Sequence, residues 1–253
     1  MPAPHTPKVP AWPPRSAPRL FVSQPLAEGQ LLLLDGPQAH YLLRVMRAAP
    51  GDAVVLCDDA TGEWAAEVVE AGKRDLTLRL ESRLREREQV PDLWLVPALL
   101  KKDRFDLVLE KACELGVRRI QPVLARRCVA DKLNPDRAHT IVIEAAEQCA
   151  RTALPELAEV QKLDSLLQHW PTDRVLFFAD ELGGEPAAQA FAANPGRAAL
   201  LIGPEGGFDD AERAAVRALP QARPIALGPR ILRGETAALA ATALWMGLCG
   251  DWK

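Results

Sequence analysis

Two different patterns of apolar and polar positions divide the chain. From Leu20 to about Leu84, short apolar runs alternate with turn residues, as is typical of a small β domain. The candidate strands are Leu31–Leu34, Ala53–Cys57, Trp64–Val69 and Leu76–Leu80. Helical spacing of apolar residues also predicts one helix, over Gln38–Arg47. We therefore expect a small β-barrel with a helix against one side.

From Pro91 onward, apolar runs of strand length alternate with helical stretches. The candidate strands are Leu93–Leu99, Ile120–Leu124, Val175–Ala179, Ala198–Ile202 and Pro224–Leu227. The candidate helices are Arg104–Leu115, Asp136–Arg151, Pro186–Ala193, Asp209–Leu219 and Glu235–Cys249. This alternation predicts an α/β domain, with a mostly parallel sheet and helices on both faces. Asp209 and Glu212 have the spacing of a capping box, which predicts a helix start there.

Two stretches of unusual composition set the predicted boundaries. Residues 1–18 are rich in proline and poor in apolar residues, so we expect a disordered extension. The charged stretch Arg83–Gln89 resembles a connector between domains. The predicted organisation is therefore an extension over 1–18, a β-barrel over 19–88 and an α/β domain over 89–253.

Composition excludes several classes of protein. The 253 residues carry a net charge of −3, and the five cysteines include no CxxC pair. The four histidines lack metal-ligand spacing, so we expect no metal site. No apolar run has transmembrane length and the N-terminus lacks the apolar core of a secretory signal. We therefore expect a cytoplasmic protein with reduced thiols and no membrane partner.

Basic residues are concentrated between Lys101 and Arg127, where they outnumber acidic ones. A local basic face on a mildly acidic protein suits a selective RNA contact. It suits an ordinary solvated helix equally well. The charge pattern alone therefore leaves both interpretations open.

Two glycine-rich turns near the C-terminus are the strongest candidates for a functional site. The sequence AALLIGPEGGF covers Ala198–Phe208, and ALGPRILRGETAALAA covers Ala226–Ala241. In each, an apolar run stops at Gly-Pro and a helical stretch follows. Strand ends of this kind line binding crevices in parallel sheets, and glycine lets the backbone approach a ligand closely.

The charged residues of these turns admit two interpretations. Glu205 offers a carboxylate to hydroxyls or a cationic group, although a tight turn with an exposed glutamate explains it equally well. Glu235 and Thr236 suit the start of a helix without any ligand. Arg230 and Arg233, however, are costly in an apolar loop unless they meet an anion or a carboxylate.

Motifs for several common chemistries are absent from the sequence. No G-x-G-x-x-G follows a strand, no G-x-x-x-x-G-K-[ST] is present, and no G-x-S-x-G occurs. A standard dinucleotide site, a P-loop and the common hydrolase nucleophile are therefore not expected. We expect chemistry that depends on binding and orientation.

The two turns carry a resemblance to a known family. IGPEGG at Ile202–Gly207, followed by LGPRILRGETA at Leu227–Ala237, closely resembles the SPOUT methyltransferases. The specific resemblance is to the family that methylates N3 of a uridine in 16S ribosomal RNA. Glu110–Val123 and Glu144–Leu157 resemble the other two signatures of that family, and His40–Asp52 resembles its PUA-like RNA-binding barrel.

The resemblance implies an α/β domain threaded into a trefoil knot, the cofactor S-adenosylmethionine, and a homodimer. Family sequences often carry Thr where Gly234 stands in this chain. The residues implied to bind the cofactor are Leu200, Ile202, Gly203, Glu205, Leu227, Gly228, Ile231, Leu232, Thr236 and Ala237.

The resemblance also implies an RNA substrate, either 16S ribosomal RNA or the small ribosomal subunit. A cation that stabilises negative charge on the uracil oxygens would help methylation at N3, and the candidates are Arg151, Arg230 and Arg233. Candidate RNA contacts are His40, Arg44, Arg47, Lys101, Lys102, Arg104, Arg126 and Arg127. The spacing of the first three predicts that they share one helix face.

Two other functions remain open at the level of sequence. The first is methylation of another RNA target, at a ribose 2′-O or a guanine N1. The second is an RNA-binding ribosome assembly factor without catalysis. The intact Glu205, Arg233 and Glu235 argue against a degenerate cofactor pocket.

Overall fold

The computed structural model describes residues 12–252, and the chain divides into two compact units. The first unit extends to Glu88 and also includes Ala150–Ala153. The second consists of Gln89–Cys149 and the chain from Leu154 onward. The chain passes from one unit to the other inside the charged stretch Arg83–Gln89, but the return of Ala150–Ala153 was not predicted.

The first unit is built on a five-stranded sheet with the order β1-β3-β4-β5-β2. Its strands are β1 (Arg19–Phe21), β2 (Leu31–Leu34), β3 (Ala53–Cys57), β4 (Glu63–Ala71) and β5 (Leu76–Arg85). β1 pairs with β3 in parallel, and the other neighbours are antiparallel. Alternate residues of β2 show how the sheet forms its core, since Leu32 and Leu34 are buried while Leu31 and Leu33 are exposed.

Part of the predicted N-terminal extension lies outside the described residues, namely residues 1–11. Residues 12–18 are described and contain a turn, in which the N–H of Ala17 donates to the carbonyl of Pro14 over 2.9 Å. The carbonyl of Pro18 accepts a hydrogen bond from the N–H of Val55 over 2.8 Å. This bond continues the pairing of β1 with β3 by one residue. The disorder expected for the extension stays a prediction.

The helix predicted at Gln38–Arg47 is interrupted. Helix α1 spans Gly36–His40, and a π-helical turn follows over Tyr41–Val45. Within that turn the N–H of Met46 donates to the carbonyl of Tyr41 over 3.0 Å, which is the i→i+5 pattern.

This interruption corrects the predicted grouping of three basic residues. Arg47 lies beyond the π-helical turn, with φ of 57° in the left-handed region. A π turn also changes the angular spacing of the residues that it contains. The prediction that His40, Arg44 and Arg47 share one face of an α-helix was therefore wrong, although all three side chains are exposed.

The second unit contains a seven-stranded sheet with the order β12-β14-β11-β13-β6-β7-β9, paired in parallel throughout. Its strands are β6 (Leu93–Pro97), β7 (Arg119–Ile120), β9 (Glu156–Leu157), β11 (Val175–Ala179), β12 (Glu185–Pro186), β13 (Ala198–Ile202) and β14 (Ala222–Ala226). A separate pair joins β8 (Val123–Leu124) to β10 (Gln161–Lys162). The predicted parallel α/β fold is confirmed.

Six helices accompany this sheet in the described part of the second unit. They are α2 (Lys102–Glu114), α3 (Pro135–Cys149), α4 (Leu163–Gln168), α5 (Ala187–Ala193), α6 (Asp210–Ala218) and α7 (Gly234–Leu248). Helix α2 buries Phe105, Val108 and Leu109, whose spacing makes one apolar face. The strand predicted over Ile120–Leu124 occurs as the two short strands β7 and β8. Helix α4 and the strands β9, β10 and β12 were not predicted, because such short elements show no clear period.

The predicted capping box at the start of α6 is confirmed. The Asp209 carboxylate accepts the N–H of Glu212 over 2.7 Å, and the Glu212 carboxylate accepts the N–H of Asp209 over 3.1 Å. These bonds satisfy two N–H groups at the start of the helix. They fix where α6 begins, directly after the first Gly-Pro turn.

Asp58 organises a turn of the first unit. Its carboxylate accepts the N–H groups of Leu26, Ala60, Thr61 and Gly62 over 2.9, 3.0, 2.7 and 3.2 Å. Burial alone would raise the pKa of Asp58, but hydrogen bonds from the Thr61 hydroxyl and from the backbone outweigh it. The pKa of Asp58 is therefore lowered from its ordinary value of 3.8.

We expect Asp58→Asn to lower the free energy of unfolding by about 1–3 kcal/mol at pH 7, because buried N–H groups lose an acceptor. The folded pKa lies below the unfolded one, so the contribution of the charge is complete above the unfolded value and declines as pH falls below about 4. Urea unfolding from pH 7 to 3.5 measures this difference. Glu70→Gln, at an exposed position of β4, is the control. If the loss in free energy of unfolding caused by Asp58→Asn did not change with pH, the charge of Asp58 would not contribute to stability.

Candidate active site

Three neighbouring parallel strands end at one edge of the large sheet and together form a cavity. β11 lies between β14 and β13, so the loops that follow these strands are adjacent. We call Gly203–Gly207 the first wall, Leu227–Gly234 the second wall, and Asp180–Gly183 the third wall. These walls surround a cavity of about 620 Å³. Ligand sites in parallel sheets lie at this edge, beyond the carboxyl ends of the strands.

Most of the residues predicted to bind the cofactor line this cavity. They are Ile202, Gly203, Glu205, Leu227, Gly228, Ile231, Leu232 and Ala237. Two others do not belong to the lining: Leu200 is buried within β13, and Thr236 is exposed on α7. The cavity therefore brings both Gly-Pro turns together, while the role of each residue in binding stays a prediction.

The third wall was missed by the sequence analysis. Asp180, Glu181 and Gly183 line the cavity directly after β11. The sequence predicts β11 over Val175–Ala179, where the structure also has it. The residues that follow this strand could therefore have been recognised as candidates for the cavity. The order of the strands was not available from the sequence, and that order alone places β11 between the two Gly-Pro turns.

Buried charge holds the third wall in place. The Asp180 carboxylate is fully buried and binds the guanidinium of Arg213 and that of Arg217, the latter over 2.6 Å. Arg213 also contacts Glu181 over 2.5 Å. Since both arginines belong to α6, this cluster connects the helix after the first wall to the third wall.

Glycine is required at two points of the cavity by the backbone itself. Gly207 has φ of 67°, and a Cβ there would lie 2.8 Å from Oε1 of Glu181. Gly228 has φ of 110°, with no atom close to where a Cβ would lie. These backbone conformations disfavour every residue except glycine, which explains the glycine at these two positions of the walls.

Several of the predicted RNA contacts bind groups of the protein itself. Arg126 contacts the Asp209 carboxylate over 2.9 Å. Arg127 donates to the carbonyl of Gly206, in the first wall, over 3.2 Å. Arg104 contacts Glu235 over 2.5 Å. These three arginines therefore help to hold the surroundings of the cavity.

The other predicted RNA contacts are more available. Arg44 makes one long hydrogen bond, to the carbonyl of Lys73 over 3.5 Å. Four of the predicted contacts are exposed and make neither an ion pair nor a side-chain hydrogen bond with the described residues, namely His40, Arg47, Lys101 and Lys102.

Comparison with known proteins adds to this geometry. The family model described as an RNA methyltransferase domain matches residues 86–246, and the one described as an RNA methyltransferase PUA domain matches residues 34–81. The chain belongs to this RNA methyltransferase family. The resemblance predicted from the Gly-Pro turns is therefore confirmed.

Curated relatives of this RNA methyltransferase carry the name ribosomal RNA small subunit methyltransferase E. The protein from Mycobacterium bovis is 32% identical, over 88% of this chain and 89% of its own length. That from Bacillus subtilis is 30% identical, over 87% and 91%. That from Rickettsia conorii is 29% identical, over 89% and 93%.

Solved structures share the fold over nearly the whole chain. The ribosomal RNA small subunit methyltransferase E of Neisseria gonorrhoeae, bound to S-adenosyl methionine, has a TM-score of 0.85 at 26% identity and covers 94% of this chain and 100% of its own. A methyltransferase of Legionella pneumophila, solved with SAM, has a TM-score of 0.82 at 29% identity and covers 93% and 99%.

The predicted catalytic arginines occupy different places in this RNA methyltransferase. Arg230 and Arg233 line the cavity and are exposed. Arg151 is buried, belongs to the first unit, and has its Nε 3.7 Å from Oε1 of Glu88. It is not part of the cavity lining. Two of the three candidates, Arg230 and Arg233, therefore lie where they could contact a ligand in the cavity.

The described residues hold neither a cluster of potential metal ligands nor a helix of membrane-spanning character. Residues 12–252 contain no group of three or more His, Cys, Asp or Glu side chains placed to hold a metal ion. Within that same stretch, every helix is too short or too polar to cross a bilayer.

We expect Asp180→Ala to lower the free energy of unfolding by up to about 3–5 kcal/mol, because the buried Arg213 loses its buried charge partner and keeps only the partly exposed Glu181. Asp173→Ala is the matched control, since it removes an ion pair with Arg197 whose side chains are both 59% exposed. Such surface pairs contribute about 0–1 kcal/mol. Urea unfolding measures the free energy of unfolding of both variants. An equal decrease in the two would show that the Asp180 cluster stabilises the fold no more than a surface ion pair does.

Proposed function

We propose that this RNA methyltransferase transfers a methyl group from S-adenosylmethionine to N3 of a specific uridine in 16S ribosomal RNA. The observation that carries the proposal is the cavity at the ends of β13, β11 and β14, formed by the two Gly-Pro turns. It occurs in a chain that matches the small subunit methyltransferases E over most of its length.

The residues of the cavity fit S-adenosylmethionine. Its volume of about 620 Å³ lies in the range of small-molecule sites. The glycines of the first and second walls let a ligand approach the backbone closely, and backbone N–H and carbonyl groups suit the edge of an adenine. Glu181 and Glu205 present carboxylates to a cationic ligand and to its hydroxyls. A cofactor without phosphate also requires none of the phosphate-binding loops that the sequence lacks.

When bound, the cofactor supplies a methyl group on a sulfonium, and the protein provides orientation and charge. Most of the rate comes from holding the two reactants in line. Arg230 and Arg233, at the cavity, stabilise the negative charge that develops on the uracil oxygens as N3 loses its proton. Arg151 remains a further candidate on the strength of the family signature alone.

For RNA, we assign the strongest contacts to the exposed side chains without an ion pair in the described part of the chain. Lys101 and Lys102, at the start of α2, carry charge that is free to meet phosphates, and His40 and Arg47 belong to the unit matched by the PUA family. Arg44, Arg104, Arg126 and Arg127 are secondary candidates, since each already bonds within the protein.

The assembly and location follow from the same proposal. Leu244 and Leu248 are large apolar side chains, one helical turn apart on α7, with 37% and 40% of their surface exposed. We assign this apolar strip to the contact between the two subunits of a homodimer. The substrate, 16S ribosomal RNA or the small ribosomal subunit, places the protein in the cytoplasm.

The direct test is methyl transfer from labelled S-adenosylmethionine to small subunits, or to their RNA, that lack the modification. We expect N3-methyluridine in the digested nucleosides. Label at a ribose 2′-O or at guanine N1 would instead assign another target. Binding of cofactor and RNA without any transfer would favour an assembly factor.

We expect Gly228→Ala to weaken binding of S-adenosylmethionine by about tenfold or more, because a φ of 110° strains alanine by about 1–3 kcal/mol and shifts the second wall. Gly196→Ala is the matched control: its φ is 118°, no atom lies within 4 Å of the added Cβ, and it lies outside the cavity lining. Calorimetry measures both affinities. Equal affinities in the two variants would contradict a role of the second wall in binding.

A further inference from the structure

An ion pair connects the start of α7, directly after the second wall of the cavity, to helix α2. Nη1 of Arg104 lies 2.5 Å from Oε1 of Glu235. The Glu235 side chain is 6% exposed, while that of Arg104 is 48% exposed. Glu235 belongs to the first turn of α7, directly after the second wall. A buried carboxylate needs such a partner, so Arg104 compensates the charge of Glu235.

The first wall is connected to the same turn of α2. Oε1 of Glu205 accepts the backbone N–H of Lys101 over 3.2 Å. Lys101 is the N-cap residue of α2, and Arg104 follows in the first turn of the helix. Glu205 of the first wall and Glu235, directly after the second wall, thus contact the same end of one helix.

The two walls also approach each other closely beside this turn. A Cβ on Gly234 would lie 2.9 Å from Cδ2 of Leu100 and 3.2 Å from the carbonyl oxygen of Gly203. Leu100 directly precedes Lys101, the N-cap residue of α2. Gly234, Gly203 and Leu100 are therefore packed without space for a side chain at position 234, and a small movement of α2 would reach both walls.

We propose that Arg104 is a positioning residue, which acts through Glu235 to hold the second wall in its binding shape. The first turn of α2 then serves as a common support for both walls, since Lys101 holds Glu205 of the first. Arg104 thereby acquires a function in shaping the cavity that is distinct from a phosphate contact. As an account of cofactor binding, this inference rests on the proposed function.

The first test needs no ligand. We expect Arg104→Gln to raise amide hydrogen exchange in residues 227–237 by about tenfold, because local opening of the second wall becomes easier. Arg137→Gln is the matched control. It removes an ion pair between Arg137, whose side chain is 50% exposed, and Asp106, which lies on α2 like Arg104. Unchanged exchange in residues 227–237, or an equal rise in the control, would overturn the proposal.

The second test uses S-adenosylmethionine and calorimetry on the full chain. We expect Arg104→Gln and Glu235→Gln each to raise the dissociation constant by about tenfold, and the double variant to be no worse than either single one, because both remove the same interaction. Arg104→Lys should recover part of the affinity. Wild-type affinity in Arg104→Gln would overturn the proposal.

The RNA-contact alternative gives a different result. In that case Arg104→Gln would weaken RNA binding and reduce the salt slope of log K by about 1, with cofactor affinity unchanged. If the wild-type protein failed to bind S-adenosylmethionine at all, the proposed function would be wrong. Hydrogen exchange would still decide whether Arg104 positions the second wall, so the two failures are distinguishable.

Discussion

The parallel register of three strands is the constraint on which the site depends. β11 pairs with β13 through Phe178 and Leu201, and with β14 through Ala179 and Ile225. Because all three strands run in the same direction, their carboxyl ends meet at one edge. The walls are therefore neighbours in space although β14 and β13 are never paired with each other. The Asp180 cluster then fixes the third wall between the other two.

Internal pairing of charge explains how a backbone-lined cavity is built beside many arginines. Arg126, Arg127 and Arg104 each bind a carboxylate or a carbonyl of the residues around the cavity. The glycines leave room for a ligand but supply no side chains to hold the loops, so these arginines and Asp180 provide that support. Much of the basic content of the stretch from Lys101 to Arg127 is thus structural, whereas the exposed Lys101 and Lys102 make no ion pair with the described residues.

The sequence predicted what depends on local pattern. β2, β3, β11 and β13 occur at the predicted residues, because each is an apolar run bounded by turns. The π turn at Tyr41–Val45 has no such signal, since its apolar spacing matches an ordinary helix. The third wall was missed because it depends on strand order, which is a long-range property. The two Gly-Pro turns that line the cavity were predicted, since glycine and proline mark turns directly.

Arg151 was proposed as a catalytic candidate from the family signature, and its place in the fold could not be predicted from the local sequence pattern. The signature stretch Glu144–Leu157 begins in α3, yet Ala150–Ala153 belong to the first unit. The Glu88 carboxylate accepts the N–H of Thr152 over 2.8 Å, and Arg85 donates to the carbonyl of Ala150 over 2.7 Å. These contacts place the backbone on both sides of Arg151. A substitution of Arg151 therefore alters a buried part of the first unit as well as any catalytic role of the side chain. The stability of the variant must be measured before a loss of activity is assigned to catalysis.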